Sequence, residues 1–309
     1  MKVAVTPWSV GSNWFADDLC EQALLAEAMG FHSFWLPENH FGDSRTISSP
    51  LTLLAAIAGV TKSIKLGTTS YLLTIRHPIQ AAEEVAVLDQ LSRGRLILGV
   101  GRGVHDAMFE VFKVPPKDKR LTFQTNLDIM QKAWRGLPIG ESNDSELKKP
   151  TILSPLPFQN PHPPIWIAAF GPLALQQAGG LGFPYLASPV ETLDVLKQNY
   201  EKHKQALDTA NHKVTDTVPV MRTVLIHENK GIIKALKQEL EHAPGHKMRS
   251  SESIVESWAI VGDAAYVHDK IQEYQEELGM THLIARGRLP GISKEIQIES
   301  HERLIKITT

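Results

Sequence analysis

The run Gly99-Val100-Gly101-Arg102-Gly103 sets one arginine among glycines at the end of an apolar stretch, Leu96-Ile97-Leu98. Glycines let a ligand approach the backbone, and a planar guanidinium makes paired, charge-assisted hydrogen bonds to a phosphate. A turn carrying a solvated arginine is the other reading of the same residues. A dinucleotide fingerprint is excluded, because the third glycine of G-x-G-x-x-G falls on Val104 and the chain continues into His105-Asp106.

Glu38-Asn39-His40-Phe41 follows another apolar run and joins a carboxylate, an amide and an imidazole. Such a set can hydrogen-bond a ligand and exchange protons near neutral pH, or serve as a polar cap and loop anchor. Arg76-His77-Pro78 lies in a matching position, with His77 either facing a site or capping the helix that Pro78 opens. The 13 histidines raise the question of a metal. His242 and His246 are separated by Pro244-Gly245, so they cannot share a helical face, and no metal site is expected. No G-x-S-x-G elbow or P-loop lysine is present. Trp35 and Trp166 sit inside strand-like runs and read as core.

The elements that must position these groups alternate. Val3–Val5, Ser33–Leu36, Ile64–Gly67, Leu96–Val100 and Ile165–Ala169 read as buried parallel strands. Ser49-Pro50 opens a helix whose Leu51, Leu54, Ala55 and Ala58 share one face. Pro78 opens a second, with Ala81, Ala82, Val85 and Leu88 in register and Gly94 beyond its end. Later units are helices over 193–207, 264–278 and 294–307 and strands over 218–226 and 281–285. Repeated strand–helix units at 309 residues suit one α/β domain over 1–309, a single (β/α)8 TIM barrel with insertions. The Pro-rich stretch 136–164 is the main insertion, and 241–253 reads as a lid loop.

Composition excludes other classes. Apolar residues make up 42% and the net charge is −2, so nothing favours nucleic acid or an acidic membrane. The single Cys20 rules out a disulfide scaffold. The apolar start breaks at Thr6-Pro7, before a signal-peptide core of roughly 7–15 residues could form, and no window reaches the roughly 18 apolar residues of a membrane span. A cytoplasmic protein is expected.

Glu38-Asn39-His40-Phe41, Arg76-His77-Pro78, Ala82-Glu83-Glu84-Val85, Leu88 through Arg95 and Gly99 through Gly103 together resemble the bacterial luciferase-like family of flavin-dependent oxidoreductases. Pro157 through Trp166 and Val261-Gly262-Asp263 are similar to later landmarks of that family, so the resemblance runs along nearly the whole chain. It implies a barrel whose strand ends hold reduced FMN, or a deazaflavin in some branches. It also implies a homodimer through the helices that begin at Ser49 and Pro78.

Residue by residue, the resemblance makes Arg102 the phosphate ligand, with the backbone of Gly103 and Val104 beside it. Thr69-Ser70 matches the place of a non-prolyl cis peptide against the flavin ring. Phe170 and Gly171 match a second phosphate-contacting loop, where Gly171 and Ala174 replace hydroxyl residues. Asn39 stands where light-emitting relatives have a catalytic histidine, and an amide has no proton to exchange near pH 7. Asn39 and His40 are the catalytic candidates. The expected function is a monooxygenase acting with reduced FMN and O2 on a small organic substrate, with a flavin reductase as partner. A non-catalytic flavin-binding subunit and a deazaflavin-dependent dehydrogenase are the alternatives.

Overall fold

A computed structural model describes residues 1–11, 15–42, 46–139, 150–242 and 254–308. In chain order the elements are β1 (Lys2–Val5), α1 (Phe15–Ala28), β2 (Ser33–Leu36), α2 (Pro50–Val60), β3 (Lys65–Thr68), β4 (Tyr71–Leu72), α3 (Pro78–Ser92), β5 (Leu96–Gly101), α4 (Asp106–Val111) and α5 (Lys119–Trp134). There follow β6 (Ile165–Ala168), α6 (Pro172–Gly180), β7 (Tyr185–Leu186), α7 (Leu193–Thr209), β8 (Pro219–Ile226), α8 (Lys230–Glu241), β9 (Ala259–Gly262), α9 (Ala264–Leu278), β10 (His282–Arg286) and α10 (Lys294–Thr308). Every paired strand runs parallel to its neighbour, which makes this an α/β protein. Of the expected lid 241–253, all but the first two residues, including His246, lie outside the described residues, as do residues 140–149 of the Pro-rich insertion. Among the described residues no helix is long and apolar enough to cross a membrane.

The chain divides into two compact units, Leu36–Ile165 and the remainder, Met1–Trp35 with Trp166–Thr309. In Leu36–Ile165, β3 and β4 pair successively along β5, with Leu66 opposite Leu96 and Leu72 opposite Gly101. Pro50 and Pro78 stand in the first turns of α2 and α3, where a missing N–H costs nothing. Ser49 occupies the cap position of α2 without a side-chain hydrogen bond, unlike the cap its type suggests. Beyond α3 the backbone turns left-handed at Arg93 (φ 55°) and again at Gly94 (φ 76°).

The 88–95 run is structural. Asp89 is buried and accepts from Gln159 N (2.7 Å) and Nε2 (2.8 Å). Burial pushes its carboxyl pKa up, while those hydrogen bonds pull it down. Arg95, also buried, donates to the carbonyls of Ala58, Thr61, Ile64 and Ser92 and to Thr61 Oγ1, tying the end of α2 and the start of β3 to the end of α3. A lysine keeps the charge but cannot supply a five-donor fork. Arg95→Lys is therefore expected to lower unfolding stability by about 3 kcal/mol in urea titration, because several carbonyls lose their donor.

In the other unit, β2, β1, β10, β8 and β9 lie side by side in that order. β6 pairs with β7, and Ala187, just past β7, bridges Val220 of β8. Trp35 stacks on Trp166 at 4.8 Å, in the core as read from the sequence. Asp263 and Asn229 cap α9 and α8 through their side chains, and Gly279 (φ 68°) ends α9.

Beneath this sheet His301 is wholly buried. Its Nδ1 accepts from Trp8 Nε1 at 2.8 Å, so the proton sits on Nε2, which donates to Val224 O at 3.2 Å. Burial holds its pKa at about 4, down from 6.5. Below pH 6.5 the unfolded chain takes up a proton that the folded chain refuses until about pH 4. Stability therefore falls through that window, by roughly 2–3 kcal/mol for this group. Urea midpoints measured from pH 7.5 to 4 should decline, and less steeply in His301→Gln.

Candidate active site

The sequence candidates in the Leu36–Ile165 unit gather just past Leu36 and where β3, β4 and β5 end. Glu38, two residues past β2, has a side chain with no exposure. Its Oε1 meets His40 Nε2 and Arg76 Nη2, each at 2.7 Å, and its Oε2 accepts from Leu72 N at 3.0 Å. Arg76 in turn donates through Nη1 to Leu72 O (2.7 Å) and lies 4.0 Å from the centre of the Tyr71 ring. Tyr71 donates its hydroxyl to Glu84 at 2.8 Å. Burial, offset in part by Arg76, raises the Tyr71 pKa, so its hydroxyl stays protonated. Asn126 of α5 holds the carbonyls of Leu73 and Arg76 and so fixes the turn that presents the arginine.

Asn39 is placed differently from a ligand-facing amide alone. Its backbone N–H donates to Ile47 O (2.9 Å), and its Oδ1 accepts from Ile47 N (3.1 Å), so it closes the loop between residues 39 and 47. The Nδ2 group has no protein partner among the described residues. His77 is a cap, its Nδ1 accepting from Ile79 N at 3.3 Å. The ring of His40 leans on Phe112 (5.1 Å) and on Phe41 (5.8 Å), whose backbone is left-handed (φ 57°).

Arg102 follows β5 directly. Its carbonyl accepts from Thr74 Oγ1 at 2.8 Å, and its guanidinium has no carboxylate partner among the described residues. Burial lowers its pKa, and the charge of Arg120 lowers it further. Arg120 belongs to the first turn of α5, next to Lys119, and Asp118 at the cap position makes no side-chain cap. Arg120 was not singled out in the sequence. The signal was there in Lys119-Arg120, which open a helix just after Pro115-Pro116.

Thr69–Ser70 is a cis peptide at the junction of β3 and β4, as the resemblance implied. Thr69 N donates to Leu36 O at 2.8 Å, and a Cβ at Gly101 would overlap Ser70 Oγ, so glycine permits this close approach. Gly103 is left-handed (φ 77°) over Met108 and Phe109, which form an apolar cluster with Leu72. Val104 is exposed.

Phe170 and Gly171 belong to the other unit. Phe170 is partly exposed, and Gly171 (φ 75°) stands at the cap of α6 without a side-chain cap. A Cβ there would meet nothing within 4 Å, which leaves the first N–H groups of α6 approachable. Ala174 is buried and supplies no hydroxyl. Among the described residues no cluster of three metal-ligating side chains occurs.

The C-terminal ends of parallel strands, where a carboxylate, an imidazole and guanidinium groups collect here, are where α/β enzymes of small molecules place their sites. The chain belongs to the luciferase-like monooxygenase family, whose model matches residues 6–282. Over 160 residues it is 32% identical to the oxygenase component of the flavin-dependent trigonelline monooxygenase of Acinetobacter baylyi, covering 50% of this chain and 44% of that protein. The chain spans about half the length of most of the curated relatives it matches.

Among solved structures it is similar to the oxygenating constituent of 3,6-diketocamphane monooxygenase from Pseudomonas putida in complex with FMN. The TM-score is 0.81 at 21% identity, over 99% of this chain and 97% of that one. It is also similar to the coenzyme F420-dependent tetrahydromethanopterin reductase of Methanopyrus kandleri, with TM-score 0.74 and 18% identity over 99% of both chains. The fold is thus shared by flavin and deazaflavin enzymes.

Proposed function

We propose that this protein is a flavin-dependent monooxygenase that uses reduced FMN and O2 to oxygenate a small organic substrate. The observation that carries this reading is Arg102, half-buried, beside the charge of Arg120 and with no carboxylate partner among the described residues. A half-buried guanidinium beside a second cation is suited to an anion, and the phosphate of FMN matches its paired donors. Gly103 and Val104 would add backbone contacts, and Thr69-Ser70 would support the ring.

Reduced flavin, when bound, supplies the electrons that activate oxygen. The chain's part is to bind and orient it, to exclude water with Leu72, Met108 and Phe109, and to handle protons at the His40 imidazole. Asn39 keeps an amide Nδ2 donor for substrate or flavin. We further propose one domain over residues 1–309 closed as a single (β/α)8 barrel, which the Ala187–Val220 bridge and the 99% structural coverage support. A homodimer through α2 and α3 is supported by the exposed Val60, Val87 and Leu91. The oxygenase-component relative supports a separate reductase that supplies the reduced flavin.

A deazaflavin is the second reading, favoured by the reductase-like neighbour. Anaerobic titration with reduced FMN and with reduced deazaflavin in parallel distinguishes them: the proposal expects saturable binding of FMN in preference. Preference for the deazaflavin would overturn it. Binding of FMN with no substrate-dependent turnover would mark a non-catalytic subunit.

A further inference from the structure

The Glu38 carboxylate receives three donors: Arg76 Nη2, Leu72 N and His40 Nε2. A carboxylate wedged against a guanidinium and a backbone N–H is ionised, and an ionised carboxylate only accepts. The His40 nitrogen facing it must therefore carry the proton, which leaves the lone pair of the neutral ring on Nδ1. That nitrogen has no protein partner among the described residues, and the ring is walled by Phe41 and Phe112. The other edge of the imidazole is fixed at 2.7 Å. Arg76 is itself held from three sides, by Glu38, by Leu72 O and by the Tyr71 ring. This group was assembled for one ring in one orientation and one tautomer.

We propose that Glu38 and Arg76 are positioning residues that lock His40 as the Nε2–H tautomer, so that Nδ1 is the single atom exchanging a proton with the bound reactants. The proposal rests on the monooxygenase reading for what the proton does, but its geometry stands without it. Neutral His40 takes one proton from a reactant at Nδ1, becomes imidazolium, and returns the same proton later in the cycle, with no net change in the protein. Glu38 stays ionised throughout and offsets the imidazolium charge, and Arg76 prevents the proton from passing on to the carboxylate. In the run Arg76-His77-Pro78 the working side chain is then the arginine, while His77 serves the helix.

The test is nitrogen-15 NMR of the imidazoles combined with kcat and flavin-affinity measurements, on wild type, Glu38→Gln and Arg76→Lys. In wild type, without any cofactor, the His40 pattern should be that of Nε2–H. In Glu38→Gln the tautomers should mix, because an amide both donates and accepts. The same variant should lose about 10–100-fold in kcat with little change in flavin affinity. Arg76→Lys keeps the charge and should retain the Nε2–H pattern at reduced kcat, which covers the case in which Glu38→Gln folds poorly. A His40 found as Nδ1–H in wild type, or a tautomer that ignores Glu38→Gln, would overturn the proposal. A correct tautomer in a protein that turns over no substrate would instead strike the monooxygenase reading alone.

Discussion

Arg102→Ala is expected to weaken reduced FMN binding about 100-fold, because two charge-assisted hydrogen bonds from a desolvated guanidinium contribute about 3 kcal/mol together. The loss should be specific to the phosphate. Riboflavin lacks that group, so its weaker affinity for wild type should barely change in the variant, and the preference for FMN should collapse. Arg102→Lys should recover part of the loss as a point charge without the fork. Because Arg102 is half-buried beside Arg120, the apo variant should be slightly more stable than wild type: a desolvated, like-charged neighbour has been removed. Equal FMN affinity in wild type and Arg102→Ala would remove the arginine from the phosphate site.

The second large effect is expected at His40. Replacement by alanine removes the imidazole and should lower kcat by about 10²–10⁴, the usual range for one general acid–base group. The affinity for reduced FMN should hold, since Arg102 and Arg120 are untouched. Glu38 then loses one donor but keeps Arg76 and Leu72 N, so the fold should survive. Rapid-mixing turnover beside flavin titration separates the two effects. A variant with wild-type kcat would move proton handling elsewhere, and the Asn39 amide cannot take it over because it neither gains nor loses a proton near pH 7.

Much of the fold was legible in the chain because hydrophobic period and punctuation agree. Pro50, Pro78 and Gly94 mark helix ends that the structure reproduces, and the buried runs ending at Leu36 and Val100 become strands, the second reaching Gly101. Other elements gave no clear pattern. The two-residue strands β4 and β7 are too short to show a period, and α4, of six residues, is shorter than two helical turns.

The site was legible in part. Arg102 and the 38–40 run announce themselves by type and place, but Glu38 reads in sequence as one member of a polar trio. Only the fold reveals it as the acceptor that joins His40 to Arg76 across 36 residues of chain. Asn39 illustrates the reverse. Its loop-closing bonds to Ile47 depend on a backbone path that no spacing encodes. Leu88 through Arg95, one of the runs that carry the resemblance, serves architecture: Asp89 and Arg95 hold elements together.

When the anaerobic complex with reduced FMN meets oxygen in a stopped-flow spectrometer, monooxygenase chemistry at this site requires saturable binding, followed by reoxidation through a transient flavin absorbance that free FMN does not show. The transient should decay faster with an accepted substrate and be lost in Arg102→Ala at the same flavin concentration. Reduced FMN that stays unbound, or that reoxidises with the spectrum and rate of free flavin at every protein concentration, would contradict it.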